Sequence, residues 1–328
     1  MQRRRVLITT PWLSSGCEAE DILRRQGFDV AYADSLGAAE RPETVDAVIA
    51  GTEPLTGAQL RSSPRLAFIV RTGVGYDNVD VDAATGGGIA VSTTPGSNRM
   101  SVAELVIGLV FDCARQISNN VGAVRAGRWE RESGTEIGGA VLGIVGLGSI
   151  GKAVARLAQG VGMTVVASDP FIDEEFTAAH GIETLPLDVL LRTSDYVTLH
   201  MMLSEETHHL IDAASLATMK PSAYLINTSR GGVVDERALA QALRSGRIAG
   251  AALDVLEQEP LEPESELRGI DNLMITAHIA GATVESRDRS ARSAAEQILD
   301  FFSGRPPVGL VNPDYRFALT DRTMGDVA

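Results

Sequence analysis

Short apolar runs rich in β-branched residues recur along the chain, each stopped by Gly, Asp, Ser or Thr. The first series is VLITT (6–10), DVAYA (29–33), DAVIAG (46–51), LAFIVRTG (66–73) and IAVSTT (89–94). Runs that are apolar almost throughout predict strands buried on both faces, as in parallel sheets, and the helix-like stretches between them make βα units. Val102, Leu105, Val106, Leu109 and Val110 then recur at helical spacing, with Ser101 placed to cap and Glu104 three residues on. This predicts one long helix over 101–117. A second series of strands follows: AVLGIVG (140–146), TVVASD (164–169), YVTLHM (196–201), YLINTS (224–229), GAALDV (250–255) and LMITAH (273–278). A second long helix is expected from about Val284 to Phe302.

Two long helices bracketing the second series predict a discontinuous architecture. One domain is built from residues 1–98 and 283–328, and the other, 99–282, is inserted into it. The fold class expected is α/β, with two doubly wound parallel-sheet domains, the outer one flavodoxin-like and the inserted one of Rossmann type. A chain of 328 residues with 44% hydrophobic content suits two ordinary cores better than one. The tail from Gly304 is expected to return to the N-terminal half and to fray past Pro313.

Charge narrows the partners. A formal net charge of −14 would repel a phosphate backbone, and the one basic run, Arg3-Arg4-Arg5, leads straight into a strand, so no nucleic-acid partner is expected. No apolar run approaches the ~20 residues of a membrane span, and no signal-peptide pattern is seen. Cys17 and Cys113 are isolated, without metal-type spacing. A cytoplasmic protein with no disulfide and no metal site is expected.

Candidate chemistry begins at GIVGLGSIG (143–151). A Gly-x-Gly-x-x-Gly pattern is weak alone in a chain with 33 glycines, but here it follows a strand and opens a helix. Gly146 suits the tight turn, Gly148 lets a pyrophosphate approach, and Gly151 allows close helix packing. Ser149 and Ile150 lie between them, where first-turn N–H groups and the positive helix end hold phosphates. Asp169 ends the next strand 18 residues past Gly151, near the offset of the carboxylate that binds a ribose 2′-hydroxyl. That carboxylate disfavours a 2′-phosphate, so NAD is preferred over NADP, and Thr228 is a further cofactor candidate. The inserted domain is thus read as NAD-binding, and the outer one as substrate-binding.

Three further strand ends carry reactive side chains: Arg230 in INTSRGG, Asp254 and Glu259 in ALDVLEQEP, and His278 in TAHIAG. Oxidising a 2-hydroxy acid needs a base for the hydroxyl proton, a cation for the carboxylate and carbonyl oxygen, and a nicotinamide to take the hydride. A His, an Arg and a carboxylate suffice. The other histidines, His180, His200, His208 and His209, are given no catalytic role, and His208-His209 beside Glu205-Glu206 reads as a solvated turn. RTGVGYDN (71–78) is a glycine turn whose N–H groups could form an anion nest.

The chain resembles the D-isomer-specific 2-hydroxyacid dehydrogenases, nearest to phosphoglycerate dehydrogenase-like members without a C-terminal regulatory domain. The likeness rests on RTGVGYDNVD (71–80), STTPGSNRMSVAEL (92–105), GIVGLGSIGKAVA (143–155), MKPSAYLINTSRGGVVDE (219–236), GAALDVLEQEP (250–260) and ITAHIAGAT (275–283). The resemblance implies a catalytic trio of Arg230, Glu259 and His278, with Asp254 near the nicotinamide carboxamide. It also implies a substrate carboxylate held around Gly73, Val74 and Gly75, and a homodimer built on the nucleotide domain. Asn98, Arg99 and Arg71 are read from the residues themselves as cleft-facing helpers.

Some positions depart from the family pattern. Ala277 precedes His278 where proline is usual, and Met202 replaces a frequent proline. Where phosphoglycerate dehydrogenases have an Arg-Ser step, this chain has Gly51-Thr52 and then Glu53, removing a cation suited to phosphate. The expected activity is hydride transfer between NAD and a small D-2-hydroxy acid or 2-keto acid, with D-3-phosphoglycerate one candidate. The alternatives are a hydroxypyruvate or glyoxylate reductase and, outside enzymes, an NAD-sensing corepressor-like binding protein.

Overall fold

Branched apolar side chains that alternate in direction along a strand need cover on both faces, and both sheets receive it. The computed structural model describes residues 3–129, 131 and 133–316. The chain forms two compact units, one from residues 1–98 and 283–328 and the other from 99–282. The end of the tail, 317–328, lies outside the described residues, so its expected fraying past Pro313 can be followed only to Arg316.

In the first unit, strands β1 (Arg5–Ile8), β2 (Asp29–Tyr32), β3 (Ala47–Ala50), β4 (Phe68–Arg71) and β5 (Ala90–Thr93) form a parallel sheet in the order β2-β1-β3-β4-β5. Val6, Ile8, Ala47, Ile49, Phe68 and Val70 face one core. Leu7, Val48, Ala50, Ile69 and Val91 face the other. Helices α1 (Glu18–Arg25), α2 (Gly57–Arg61) and α3 (Val81–Gly86) follow β1, β3 and β4. The tail then returns to this sheet. Val311 donates its N–H to Val91 O at 2.8 Å and Thr93 donates to Gly309 O at 3.0 Å. Asn312 accepts from Val91 N–H at 2.7 Å and donates to Ile89 O and Thr85 Oγ1, each at 2.9 Å, so the free edge of β5 is covered.

The second unit opens on α4 (Arg99–Arg115), which starts two residues before Ser101, so Ser101 lies inside the first turn and is not the cap. The predicted single helix also ends early. Gln116 takes a left-handed φ of 51° and α5 (Ile117–Arg125) continues in a new direction. Strands β6 (Val141–Val145), β7 (Thr164–Ser168), β8 (Glu183–Thr184), β9 (Tyr196–Leu199), β10 (Tyr224–Asn227), β11 (Gly250–Leu253) and β12 (Leu273–Ile275) form a parallel sheet in the order β12-β11-β10-β9-β6-β7-β8. Helices α6 (Ser149–Gly160), α7 (Glu174–His180), α8 (Leu187–Thr193), α9 (Ala213–Thr218) and α10 (Glu236–Arg244) connect them. Chain order reverses between β6 and β9, the switch point at which doubly wound sheets bind ligands beyond their carboxyl ends.

The first unit resumes with α11 (Val284–Phe302). Thr283 accepts the Ser286 N–H at 3.1 Å to cap it, and Ala291, Ala294, Ala295 and Ile298 pack into the core beside α1. Both sheets are therefore covered on two faces, as the fold class expected from the apolar runs requires.

Candidate active site

The glycine loop stands at the switch point of the second unit. Gly146 has φ +94°, and a Cβ there would lie 2.8 Å from the carbonyl of His200. A Cβ on Gly151 would lie 2.2 Å from Gly146 O, so this glycine lets α6 close on the loop. Nothing lies within 4 Å of a Cβ placed on Gly148. That residue caps α6 without a side chain, and no described group accepts from the first-turn N–H groups of Ser149, Ile150 and Gly151. Asp169 follows β7. It accepts the Leu147 N–H at 2.6 Å on one oxygen and the Phe171 N–H at 2.7 Å on the other, which fixes it beside the loop with lone pairs to spare. Thr228 is buried at the end of β10 with its Oγ1 lacking a hydrogen-bond partner among the described residues. An open anion cradle, a neighbouring carboxylate and an orphaned hydroxyl fit a dinucleotide.

Arg230, Glu259 and His278 all belong to this unit, on loops that follow β10, β11 and β12. Asn227 shapes the first loop by accepting from Ser229 N–H and Oγ at 3.0 and 2.7 Å and donating to Arg230 O at 2.8 Å. A Cβ on Gly231 would lie 1.9 Å from the carbonyl carbon of Leu256. Only glycine lets this loop press against the one that carries Glu259. Glu259 accepts the Leu256 N–H at 3.1 Å on one oxygen and pairs with His278 Nδ1 at 2.9 Å on the other. Burial works to raise the Glu259 pKa. The hydrogen bonds from His278 and Leu256, with the charges of His278 and Arg230, outweigh it and hold the carboxyl below its ordinary value. An ionised carboxylate can only accept, so Nδ1 carries the hydrogen and Nε2 is left for chemistry.

His278 has φ +53°, an uncommon conformation for a side chain this large. Asp254, 1% exposed, enforces it. Its carbonyl accepts the His278 N–H at 2.9 Å, and its carboxylate accepts from Thr276 Oγ1 at 2.5 Å and from the N–H groups of Ile279 and Ala280 at 2.8 Å each. Asp254 thus holds the loop that carries His278, and it supplies the rigidity that Ala277, in place of proline, does not. Sequence reasoning also missed Asn227, although Asn-Thr-Ser is a recognisable side-chain turn. His209, read as part of a solvated turn, has its Nε2 3.0 Å from Glu257 Oε1, two residues from Glu259. His200 has its pKa lowered to about 3 by burial, so it is a neutral wall behind Gly146.

The candidate substrate residues lie in the first unit. Gly73 has φ +128° and donates its N–H to Thr94 Oγ1 at 2.7 Å, so it shapes the turn and its donor is already engaged. No described group accepts from Val74 or Gly75, whose N–H groups remain available. Arg71 is buried and donates to Thr72 O at 2.5 Å. A Cβ on Gly73 would lie 1.7 Å from its Nη1, which places the guanidinium against the turn. The buried Asn98 Oδ1 has no hydrogen-bond partner among the described residues.

Known proteins resemble this chain in sequence and fold. The family model for the "D-isomer specific 2-hydroxyacid dehydrogenase, NAD binding domain" covers residues 107–280. A glyoxylate reductase of Korarchaeum cryptofilum is 41% identical over 282 residues, spanning 84% of this chain and 85% of that protein. A D-3-phosphoglycerate dehydrogenase of Synechocystis is 41% identical over 273 residues, 83% of this chain but only 49% of that longer protein. The crystal structure of a D-lactate dehydrogenase from Aquifex aeolicus with NAD and lactic acid superposes with a TM-score of 0.82 at 28% identity, covering 92% of this chain and 96% of that one.

Proposed function

The chain belongs to the D-isomer-specific 2-hydroxyacid dehydrogenases, and from that membership we propose how its own residues divide the reaction. It is an NAD-dependent oxidoreductase acting on a small 2-hydroxy acid and the matching 2-keto acid. NAD, when bound, supplies the nicotinamide that takes up or returns a hydride. His278 exchanges the proton at Nε2, accepting it from the substrate hydroxyl during oxidation and delivering it to the keto oxygen during reduction. Glu259 fixes the ring through Nδ1 and stabilises the charge that appears there. Arg230 grips the substrate carboxylate and polarises the keto oxygen. In the first unit, the Val74 and Gly75 N–H groups, with the Arg71 guanidinium against the turn, are assigned to the substrate carboxylate, and Asn98 is kept as a further polar candidate.

The single observation carrying this reading is the 2.9 Å contact between His278 Nδ1 and an ionised Glu259. Changing His278→Ala is expected to lower kcat by roughly 10²–10⁴-fold while NADH binding, followed by fluorescence, is retained. Near-normal turnover would remove His278 from the mechanism. D-3-phosphoglycerate and the pair glyoxylate and hydroxypyruvate are the substrate candidates. We also propose a cytoplasmic homodimer joined through the second unit. Ile117, Val121 and Val124 of α5 and Trp129, 79% exposed, present an apolar surface that a second copy would cover. Among the described residues no helix is long and apolar enough to cross a membrane.

A further inference from the structure

The first unit has its own switch point, between β1 and β3, where strand order turns from β2-β1 to β3-β4-β5. Ligands of such sheets bind beyond the carboxyl ends of those two strands. Here the chain's own carboxylate occupies that place. Both oxygens of Glu53 accept the Gly51 N–H at 3.0 Å, just past β3, and one also accepts the hydroxyl of Thr9, just past β1. A Cβ on Gly51 would lie 2.8 Å from Glu53 Oε2 and 2.7 Å from Thr10 Oγ1, so only glycine lets the carboxylate fold back this far. No described Lys, Arg or His pairs with it.

This segment runs directly beside the candidate carboxylate turn. Thr72 donates its N–H and its Oγ1 to Ala50 O at 2.8 and 2.9 Å. Asn78, at the far end of the same turn, donates to Gly51 O at 3.1 Å and Glu53 O at 2.7 Å. Two neighbouring strand ends therefore offer opposite electrostatics. Past β4 there are two available N–H groups with a guanidinium behind them, and past β3 there is a fixed, unneutralised negative charge.

We infer that Glu53 is a specificity-determining residue that confines the substrate to 2-hydroxy and 2-keto acids with a single anionic group, of the glyoxylate and hydroxypyruvate kind, and rejects those with a second phosphate or sulfonate. The inference rests on the assignment of the substrate carboxylate to Val74 and Gly75. The first anion is held at the turn. A second anion one or two carbons away meets a carboxylate that has already taken the nearest backbone donor, and such built-in repulsion discriminates at least as effectively as a new attraction.

Hydroxypyruvate and 3-phosphohydroxypyruvate differ only by the phosphate, so they make the test with the whole chain and NADH. The wild-type enzyme is expected to favour hydroxypyruvate by about 100-fold in kcat/KM, and Glu53→Gln to reduce that ratio at least about tenfold. A wild-type enzyme that uses the phosphorylated acid equally well, or a folded variant with an unmoved ratio, would overturn the inference. Thermal protection of the wild-type protein by D-glycerate and by D-3-phosphoglycerate, each with NAD, gives a readout independent of turnover and of the variant's folding. Stronger protection by D-glycerate supports the inference, even if no 2-keto acid is turned over and the roles of Arg230, Glu259 and His278 fall. Stronger protection by the phosphorylated acid overturns it.

Discussion

At the scale of single residues, the groups assigned to the chemistry stand out in the sequence because their types are scarce and their spacing is constrained. The three glycines of the loop, Asp169, Arg230, Glu259 and His278 each stand at the end of a run that reads as a strand. What holds them could not be read. The grip of Asp254 on residues 276–280 and the 3.0 Å bonds from the Gly51 N–H to the Glu53 carboxylate depend on loop closure, which no local pattern encodes. Asp169 shows both aspects. Its offset is the one expected of a ribose ligand, but its 2.6 Å bond to the Leu147 N–H also ties the glycine loop in place. Asp169→Ala is therefore expected to raise the Kd for NADH by roughly 10–100-fold, the loss of one or two hydrogen bonds to a charged group, and to weaken NADPH much less. Fluorescence titration with both cofactors checks this, and equal weakening would assign Asp169 to the loop alone.

At the scale of elements, strands were easier to recognise than the ends of helices. Buried parallel strands are marked by their apolar runs, whereas two-residue β8 is too short to leave a period. The break at Gln116 is a left-handed residue that no glycine announces. Helix α1 carries a testable charge. Glu20 accepts from Gly16 N–H, Tyr32 Oη and Arg24 Nε at 2.7, 2.7 and 2.6 Å, and these bonds lower its pKa from 4.5 to about 2, the Gly16 N–H contributing most. A carboxyl with a depressed folded-state pKa stabilises fully above its unfolded value, and that stability is lost as pH falls toward the folded one. Glu20→Gln is expected to cost about 2 kcal/mol at pH 6, the usual worth of hydrogen bonds to a charged group, and much less at pH 3. Urea unfolding at the two pH values measures the difference. A gap that is constant with pH would show that shape alone matters at this position.

At the scale of the whole molecule, the two long helices flanking the second strand series point to an inserted unit, because a chain that leaves one sheet must come back to finish it. The closing detail was not visible in advance. Asn312 makes three hydrogen bonds, to Val91 on β5, to Ile89 just before it and to Thr85 on α3, from 221 residues beyond Val91. Asn312→Ala leaves buried backbone groups without partners and is expected to destabilise the first unit by about 3 kcal/mol. In calorimetry the transition of the first unit should drop while that of the second holds. A uniform shift of both would mean that the two units melt as one.

The late arrival of that segment bears on how the protein is made. While the ribosome is still translating the inserted unit, β5 already exists with an uncovered hydrogen-bonding edge, the feature that invites strand-to-strand aggregation in half-built sheets. The inserted unit has all its strands before the earlier one has its last partner. On the ribosome, the first sheet can be completed only after every strand of the inserted one has been made.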